Sequence, residues 1–187
     1  CPPSEYPSLF FAPTEKPKTL SYADSLLGNL GIPDRPICTL KASHRVVGHF
    51  DKIYCLTADK TGSILITGAD DFLVKIWRLP EVTLMFTLSY HRNVITDIAV
   101  HPSNRYFATS SHDHNIFIFD LESGNKLDQL KMDNEVHNVR FSNNGKWVAA
   151  SGQEGFIYIW MLTGYPPRTR KVHSIPTPDY RAIAWID

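Results

Sequence analysis

Cysteine is scarce in this sequence, and the three that occur, Cys1, Cys38 and Cys55, show no C-x-x-C spacing. An odd number so placed argues against a disulfide framework or a zinc finger and fits thiols kept reduced inside a cell. Charge of either sign is not in excess: 19 lysines and arginines stand against 19 aspartates and glutamates. Such a balance gives no overall field to gather nucleic acid or cations. No apolar run approaches the ~18 residues of a bilayer span. A phosphate-cradling glycine loop is missing too, since "GNLG" at Gly28 to Gly31 precedes no strand–helix unit. No Ser–His–Asp or Cys–His set stands out.

What is present divides in two. Residues 1–36 hold seven of the thirteen prolines, which predicts an extended linker because proline stiffens the chain and lacks an amide donor. One short helix is expected within it, near 22–30. Ser21 can cap it with Asp24 three residues on, Leu26, Leu27 and Leu30 form an apolar stripe, and Gly31 can end it. From residue 37 to 187 the pattern is short runs rich in Ile, Val, Phe, Tyr and Thr, split by turn residues. "IYCLTA", "SILIT" and "LVKIW" are examples, with "DKTG" and "GADD" between them. Such runs are antiparallel strands, and the fold class is all-β. Asn144-Gly145 is the strongest hairpin signal.

The strands repeat. His49, His91 and Asp133 recur every 42 residues, and the strand ends Trp77, Phe119 and Trp160 every 41 or 42. Asp71, Asp113 and Glu154 each lie six residues before those strand ends. A four-stranded unit of 40–45 residues, opening on Gly-His and closing on Trp, resembles the blade of a WD-repeat β-propeller. The blades span approximately 48–90, 91–131 and 132–174, with a further one starting at 180–187. An outer strand, "ICTLKASHRVV", precedes Gly48. Three blades plus edge strands cannot close a ring, and the chain runs from a cysteine to an aspartate inside a predicted strand. A fragment of a longer propeller is therefore expected, which needs the remainder of that propeller beside it.

The resemblance implies a role for the paired acids of "TGADDFLVKIW", Thr67 to Trp77. In WD-repeat proteins the Trp, Thr, His and Asp form a buried hydrogen-bonded relay. Here Trp77 would donate to Thr67, Thr67 to His49, and His49 to Asp71. A charge-assisted bond of this kind contributes ~1.5–3 kcal/mol. The second repeat keeps His91, Thr109 and Asp113 but ends in Phe119, which cannot donate. The third has Asp133, Ala150, Glu154 and Trp160, so no such relay is expected. Its packing is expected from Val136, Val139, Phe141, Trp147, Ile157 and Ile159.

Other candidate chemistry has simpler readings. His112, Asp113 and His114 resemble a metal cluster, but adjacent turn residues point apart and Asp113 belongs to the relay. "DKTG" at Asp59 falls at a hairpin, and Asp70 reads as a solvated turn residue. "RTRK" from Arg168 to Lys171 is a small basic patch on an outer strand, which could touch nucleic acid only weakly. No catalytic residue, metal or cofactor is assigned. The remaining surface is the loop face where the inner strands begin. Its candidate partner-binding residues are Phe50, Lys52, Phe72, Arg92, Asn93, His114, Asn134 and Glu135. Exposed aromatic and arginine side chains there are better anchors than the polar residues around them.

Residues Gly48 to Trp77, with Ile95 to Val100, resemble the amino-terminal WD repeats of the bromodomain and WD-repeat family. These are relatives of the pleckstrin-homology-domain-interacting protein. The resemblance implies a propeller followed by bromodomains. It also implies a non-enzymatic nuclear scaffold in chromatin-linked transcription control and in cell shape and cytoskeletal organisation, bound to other proteins and not to membrane. The alternative is a generic, otherwise cytoplasmic, WD-repeat adaptor such as a cullin–RING ubiquitin ligase receptor. Against it, "WRLP", "FDLE" and "WMLT" depart from the Trp-Asp-x-Arg element of such receptors. The least favoured alternative is a hydrolase or metalloenzyme using Asp70/Asp71 or His112/His114.

Overall fold

The computed structural model describes residues 48–153 and 155–176. The proline-rich segment with its helix near 22–30, the outer strand before Gly48, Glu154 and the strand at 180–187 lie outside the described residues. Within them, twelve strands form three four-stranded antiparallel sheets, each a simple meander. Sheet one comprises β1 (Ile53–Ala58), β2 (Ile64–Ala69), β3 (Val74–Arg78) and β4 (Thr83–Leu88). Sheet two comprises β5 (Ile95–Val100), β6 (Tyr106–Ser111), β7 (Asn115–Asp120) and β8 (Lys126–Lys131). Sheet three comprises β9 (Val136–Phe141), β10 (Trp147–Gly152), β11 (Phe156–Thr163) and β12 (Arg168–Pro176). This is the all-β architecture of a partial propeller.

The repeat extends to the backbone. Register shifts recur at Ile76/Trp77, Ile118/Phe119 and Ile159/Trp160, so each sheet bends at its closing aromatic residue. Among the described residues, every residue with positive φ falls in one of three turns. The first-to-second strand turns use Gly62, Asn104 and Gly145; the second-to-third use Phe72, His114 and Gly155; the third-to-fourth use Val82, Gly124 and Gly164. A left-handed residue thus sits at each turn regardless of side chain, and where it is Phe72 or Val82 the backbone is strained. Asn144, by contrast, does not take positive φ. Gly145 N donates to Ser142 O and Ser142 N to Trp147 O, both at 2.9 Å, so four residues, 143–146, make the turn in place of two, and only Gly145 is left-handed.

Alternating side chains bury both faces of sheet two. Phe107, Phe117 and Phe119 pack with Ile66, Val74 and Ile76 of sheet one. Tyr106, Ala108, Ile116 and Ile118 pack with Val139, Val148 and Trp160 of sheet three. This accounts for β6 being buried at all six positions. In sheet three, Trp147, Ile157 and Ile159 are only half-buried, contrary to the sequence expectation. They alternate with Val148, Tyr158 and Trp160, which occupy the face turned to sheet two. On sheet one, Tyr54, Leu56 and Leu84 are 58%, 67% and 49% exposed, so its face away from sheet two is apolar.

Polar ties join residues about one repeat apart. Asp97 on β5 is buried and accepts from Val139 N at 3.0 Å, Asn138 Nδ2 at 3.3 Å and Arg140 Nη1, all on β9. Asp128 accepts from Thr169 N at 3.0 Å and Oγ1 at 2.7 Å. Cys55 lies between sheets one and two, and burial together with the Asp97 carboxylate pushes its thiol up to about 12, so it stays protonated. Phe107 is fully buried at the seam between sheets one and two. Phe107→Ala should cost about 3–5 kcal/mol, read as a lowered urea midpoint with both sheets melting together.

Candidate functional site

In sheet one, Trp77 reaches back along the strand from β3 while His49 enters from the loop before β1. Trp77 Nε1 donates to Thr67 Oγ1 at 2.9 Å, and Thr67 Oγ1 lies 2.8 Å from His49 Nε2. His49 Nδ1 lies 3.0 and 2.9 Å from the two Asp71 oxygens. A carboxylate can only accept, so Nδ1 carries the proton, Nε2 accepts, and the threonine hydroxyl donates to it. The His49 and Asp71 side chains are 1% and 7% exposed. Asp71 also accepts from Phe50 N at 3.0 Å and Leu73 N at 3.1 Å. Burial pushes the Asp71 carboxyl up, but these backbone amides and His49 outweigh it and hold it below the ordinary range.

Sheet two repeats the core of this arrangement without the indole. His91 Nδ1 donates to Asp113 Oδ2 at 2.9 Å, and His91 Nε2 lies 2.8 Å from Thr109 Oγ1. Asp113 accepts in addition from Arg92 N at 2.9 Å and Asn115 N at 3.0 Å. Burial raises its pKa, and the bonds from His91 and the two amides reverse this and set it at about 2. A second exchange accompanies the loss of tryptophan. At Gly48 any Cβ would overlap the Trp77 ring. The corresponding residue of the next repeat is Tyr90, whose ring centre lies 5.4 Å from that of Phe119. Two medium rings replace one large ring and a glycine.

Sheet three uses different chemistry. Tyr158 OH donates to Asp133 Oδ2 at 3.2 Å and its ring stacks on Trp160, with centres 5.9 Å apart. Lys171 Nζ sits 3.9 Å from the centre of the Tyr158 ring. We propose that these constellations are structural braces, each tying a loop to the sheet below it.

The candidate partner-binding residues lie at one end of the strands. Phe50 is 93% exposed and Phe72 40%; Lys52, Arg92 and His114 are exposed, and Asn93, Asn134 and Glu135 half-buried. Asn93 is partly engaged, with Oδ1 accepting from Val94 N at 2.8 Å. The Asp70 amide donates to Lys52 O at 2.9 Å. The three "HDH" side chains separate: His112 packs edge-on to His137, Asp113 binds His91, and His114 Nδ1 donates to Asp133 O at 3.1 Å. Among the described residues, no group of three or more His, Cys, Asp or Glu could hold a metal ion. The basic run at 168–171 lies on β12, exposed except for half-buried Thr169. Sequence reasoning missed Asp97 and Arg140. Their separation of one repeat plus one residue was visible, but it means something only once the neighbouring inner strands are known to touch.

The model of the WD domain, G-beta repeat, matches residues 38–78, 82–120 and 125–161. The chain belongs to the WD-repeat family. A bromodomain and WD repeat-containing protein of Dictyostelium discoideum is 32% identical over 74% of this chain and 7% of its own length. The COMPASS component SWD3 of Saccharomyces cerevisiae is 30% identical over 65% of this chain and 42% of its own. The small ribosomal subunit protein RACK1 of Schizosaccharomyces pombe is 27% identical over 67% and 42%. The chain therefore spans less than half the length of these relatives. WD-repeat proteins act generally as protein-interaction scaffolds. No helix among the described residues is long and apolar enough to cross a membrane.

Two predictions test the braces. Asp113 has a lowered folded pKa, so its stabilisation is present above the ordinary aspartate value of 3.8 and is lost as pH falls from there through about 2. Asp113→Asn should flatten the acid limb of the melting-temperature profile in that window. Gly48→Ala should lower the melting temperature by several degrees, roughly 1–3 kcal/mol of overpacking. Trp77→Phe in the same chain should recover part of that loss, because the smaller ring vacates the overlap.

Proposed function

We propose that this chain is the scaffold portion of a nuclear, chromatin-associated regulator. Protein partners would dock on the loop face carrying Phe50 and Phe72. The observation that carries the reading is the pairing of those two aromatics around one buried acid. Phe50 donates its amide to Asp71, and Phe72 follows Asp71 with φ at 64° while remaining partly exposed. Gly155 takes the corresponding position in the third repeat without strain. A bulky side chain kept in a strained conformation at the surface supports a binding role. Similarity to a bromodomain and WD repeat-containing protein and to a COMPASS component supports the chromatin assignment. The part concerning cell shape rests on the family resemblance alone. A second reading, an adaptor in another assembly such as a ribosome-bound complex, draws on the likeness to the small ribosomal subunit protein RACK1; its ubiquitin-ligase form rests on the family resemblance alone.

The test is proximity labelling in cells with the full chain, compared with the double variant Phe50→Ala, Phe72→Gly. Chromatin proteins should dominate the labelled set and fall by at least about half in the variant. Its melting temperature should hold or rise, because glycine relieves a left-handed strain of roughly 1 kcal/mol. Labelling confined to ribosomal or cytoplasmic proteins, or unaltered by the double variant, would overturn the assignment.

A further inference from the structure

In the turn between β9 and β10, Asn144 is the one asparagine of the sequence that is followed by glycine. Glycine has no side chain to shield its backbone nitrogen. The equivalent turns of the first two repeats read Thr61-Gly62 and Ser103-Asn104, so neither places a carboxamide before a bare nitrogen. Asn143, Asn144 and Lys146 are exposed, and water reaches the turn from that side.

The Asn144 side chain is held in place. Lys146 N donates to its Oδ1 at 2.9 Å, and because an amide N–H can only donate, the accepting atom is the carbonyl oxygen. Ser142 Oγ lies 2.8 Å from the same oxygen. Trp147 N donates to Ser142 Oγ at 3.0 Å, which leaves the serine's own hydrogen for Asn144. The two donors draw electrons from Cγ and sit where an oxyanion would form on Oδ1. The bond to Lys146, two residues on, folds the side chain forward over the Gly145 nitrogen. Gly145 N donates to Ser142 O at 2.9 Å, so that one bond must open before the nitrogen can lose its proton. The carbonyl of Gly145 faces the neighbouring sheet. Ser103 N donates to His101 Nδ1 at 3.0 Å, so Nε2 carries the proton and donates to Gly145 O at 2.9 Å. His101 is buried against Tyr106 and Phe141, and any Cβ at Gly145 would overlap its ring. The turn of sheet three is thus seated on sheet two through Gly145.

We propose that Asn144 is a site of self-modification, and that its isoaspartyl product unseats this turn from sheet two. Gly145 N gives its proton to hydroxide and attacks Asn144 Cγ. The new C–N bond closes a cyclic imide, and Nδ2 takes a proton and leaves as ammonia. Water then adds to one imide carbonyl and breaks its bond to nitrogen. Opening at Cγ gives aspartate; opening at the main-chain carbonyl gives isoaspartate, in which the chain runs through Cβ and Cγ. No electrons are gained or lost, and water is the sole co-reactant. Isoaspartate lengthens the backbone by one carbon just before Gly145, which carries its carbonyl away from a buried, immobile ring nitrogen. The site lies at the opposite end of the strands from the loop face and uses none of that face's residues.

Ageing the folded full chain at neutral pH and physiological temperature, followed by peptide mass spectrometry, tests the site. Asn144 should lose its amide at least about tenfold faster than its exposed neighbour Asn143, whose attacking nitrogen belongs to a residue with a side chain. Conversion of Asn144 only after unfolding in urea, or equal conversion of Asn143, would overturn the assignment. The structural consequence is read from melting temperatures. Asn144→Asp carries the new charge without the extra backbone carbon, so the deamidated fraction of the aged chain, collected by ion exchange, should melt several degrees below that variant. His101→Phe keeps a ring against Tyr106 and Phe141 but cannot donate to Gly145 O. In that background the gap should shrink to less than about half, because the bond that isoaspartate breaks is already gone. A deamidated fraction that melts with Asn144→Asp, or a gap unchanged by His101→Phe, would show that the turn is not unseated.

Discussion

A four-stranded sheet with apolar side chains on both faces cannot stand alone in water, and the rest of this structure depends on that constraint. Sheet two shows it most directly. Phenylalanines at 107, 117 and 119 serve sheet one, while isoleucines at 116 and 118 serve sheet three. No separate core exists inside any sheet; the cores lie between sheets. The polar ties follow the same geometry, because Asp97 to Arg140 and Asp128 to Thr169 join elements roughly one repeat apart. A substitution at a seam is therefore felt by two sheets.

Packing between sheets leaves the loops to be fixed by other means, and each repeat solves this differently. Sheet one uses Trp77, Thr67, His49 and Asp71 in series, with Asp71 also holding the amides of Phe50 and Leu73. Sheet two omits the indole and fills its place with Tyr90 and Phe119. Sheet three holds its loop through Tyr158 and Asp133. The same mechanical need, a loop pinned to the sheet beneath it, is met by a charged relay, by a shortened relay with aromatic packing, and by one phenolic hydrogen bond.

Pinned loops matter for a scaffold because binding requires side chains held out at defined positions with little ordering cost. Phe50 and Phe72 are both tied to Asp71, one through its amide and the other through adjacency.

The sequence by itself determined the period and the strand positions, because each recurs at a fixed offset and strand alternation is local chemistry; the members of the first two relays followed from the resemblance to WD repeats. It also marked the positions of turns, although not that Asn144 would stay right-handed while Phe72 and Val82 would not. Only the tertiary structure decided which face of each strand met which neighbour. That is why Trp147, Ile157 and Ile159 are half-buried and Tyr158 and Trp160 are not. It alone placed Tyr90 against Phe119, Asp97 against Arg140, and the Tyr165 hydroxyl on Asp120. The last two contacts join residues from separate sheets, and their distances are set by how whole sheets stack, a quantity that no short stretch of sequence encodes.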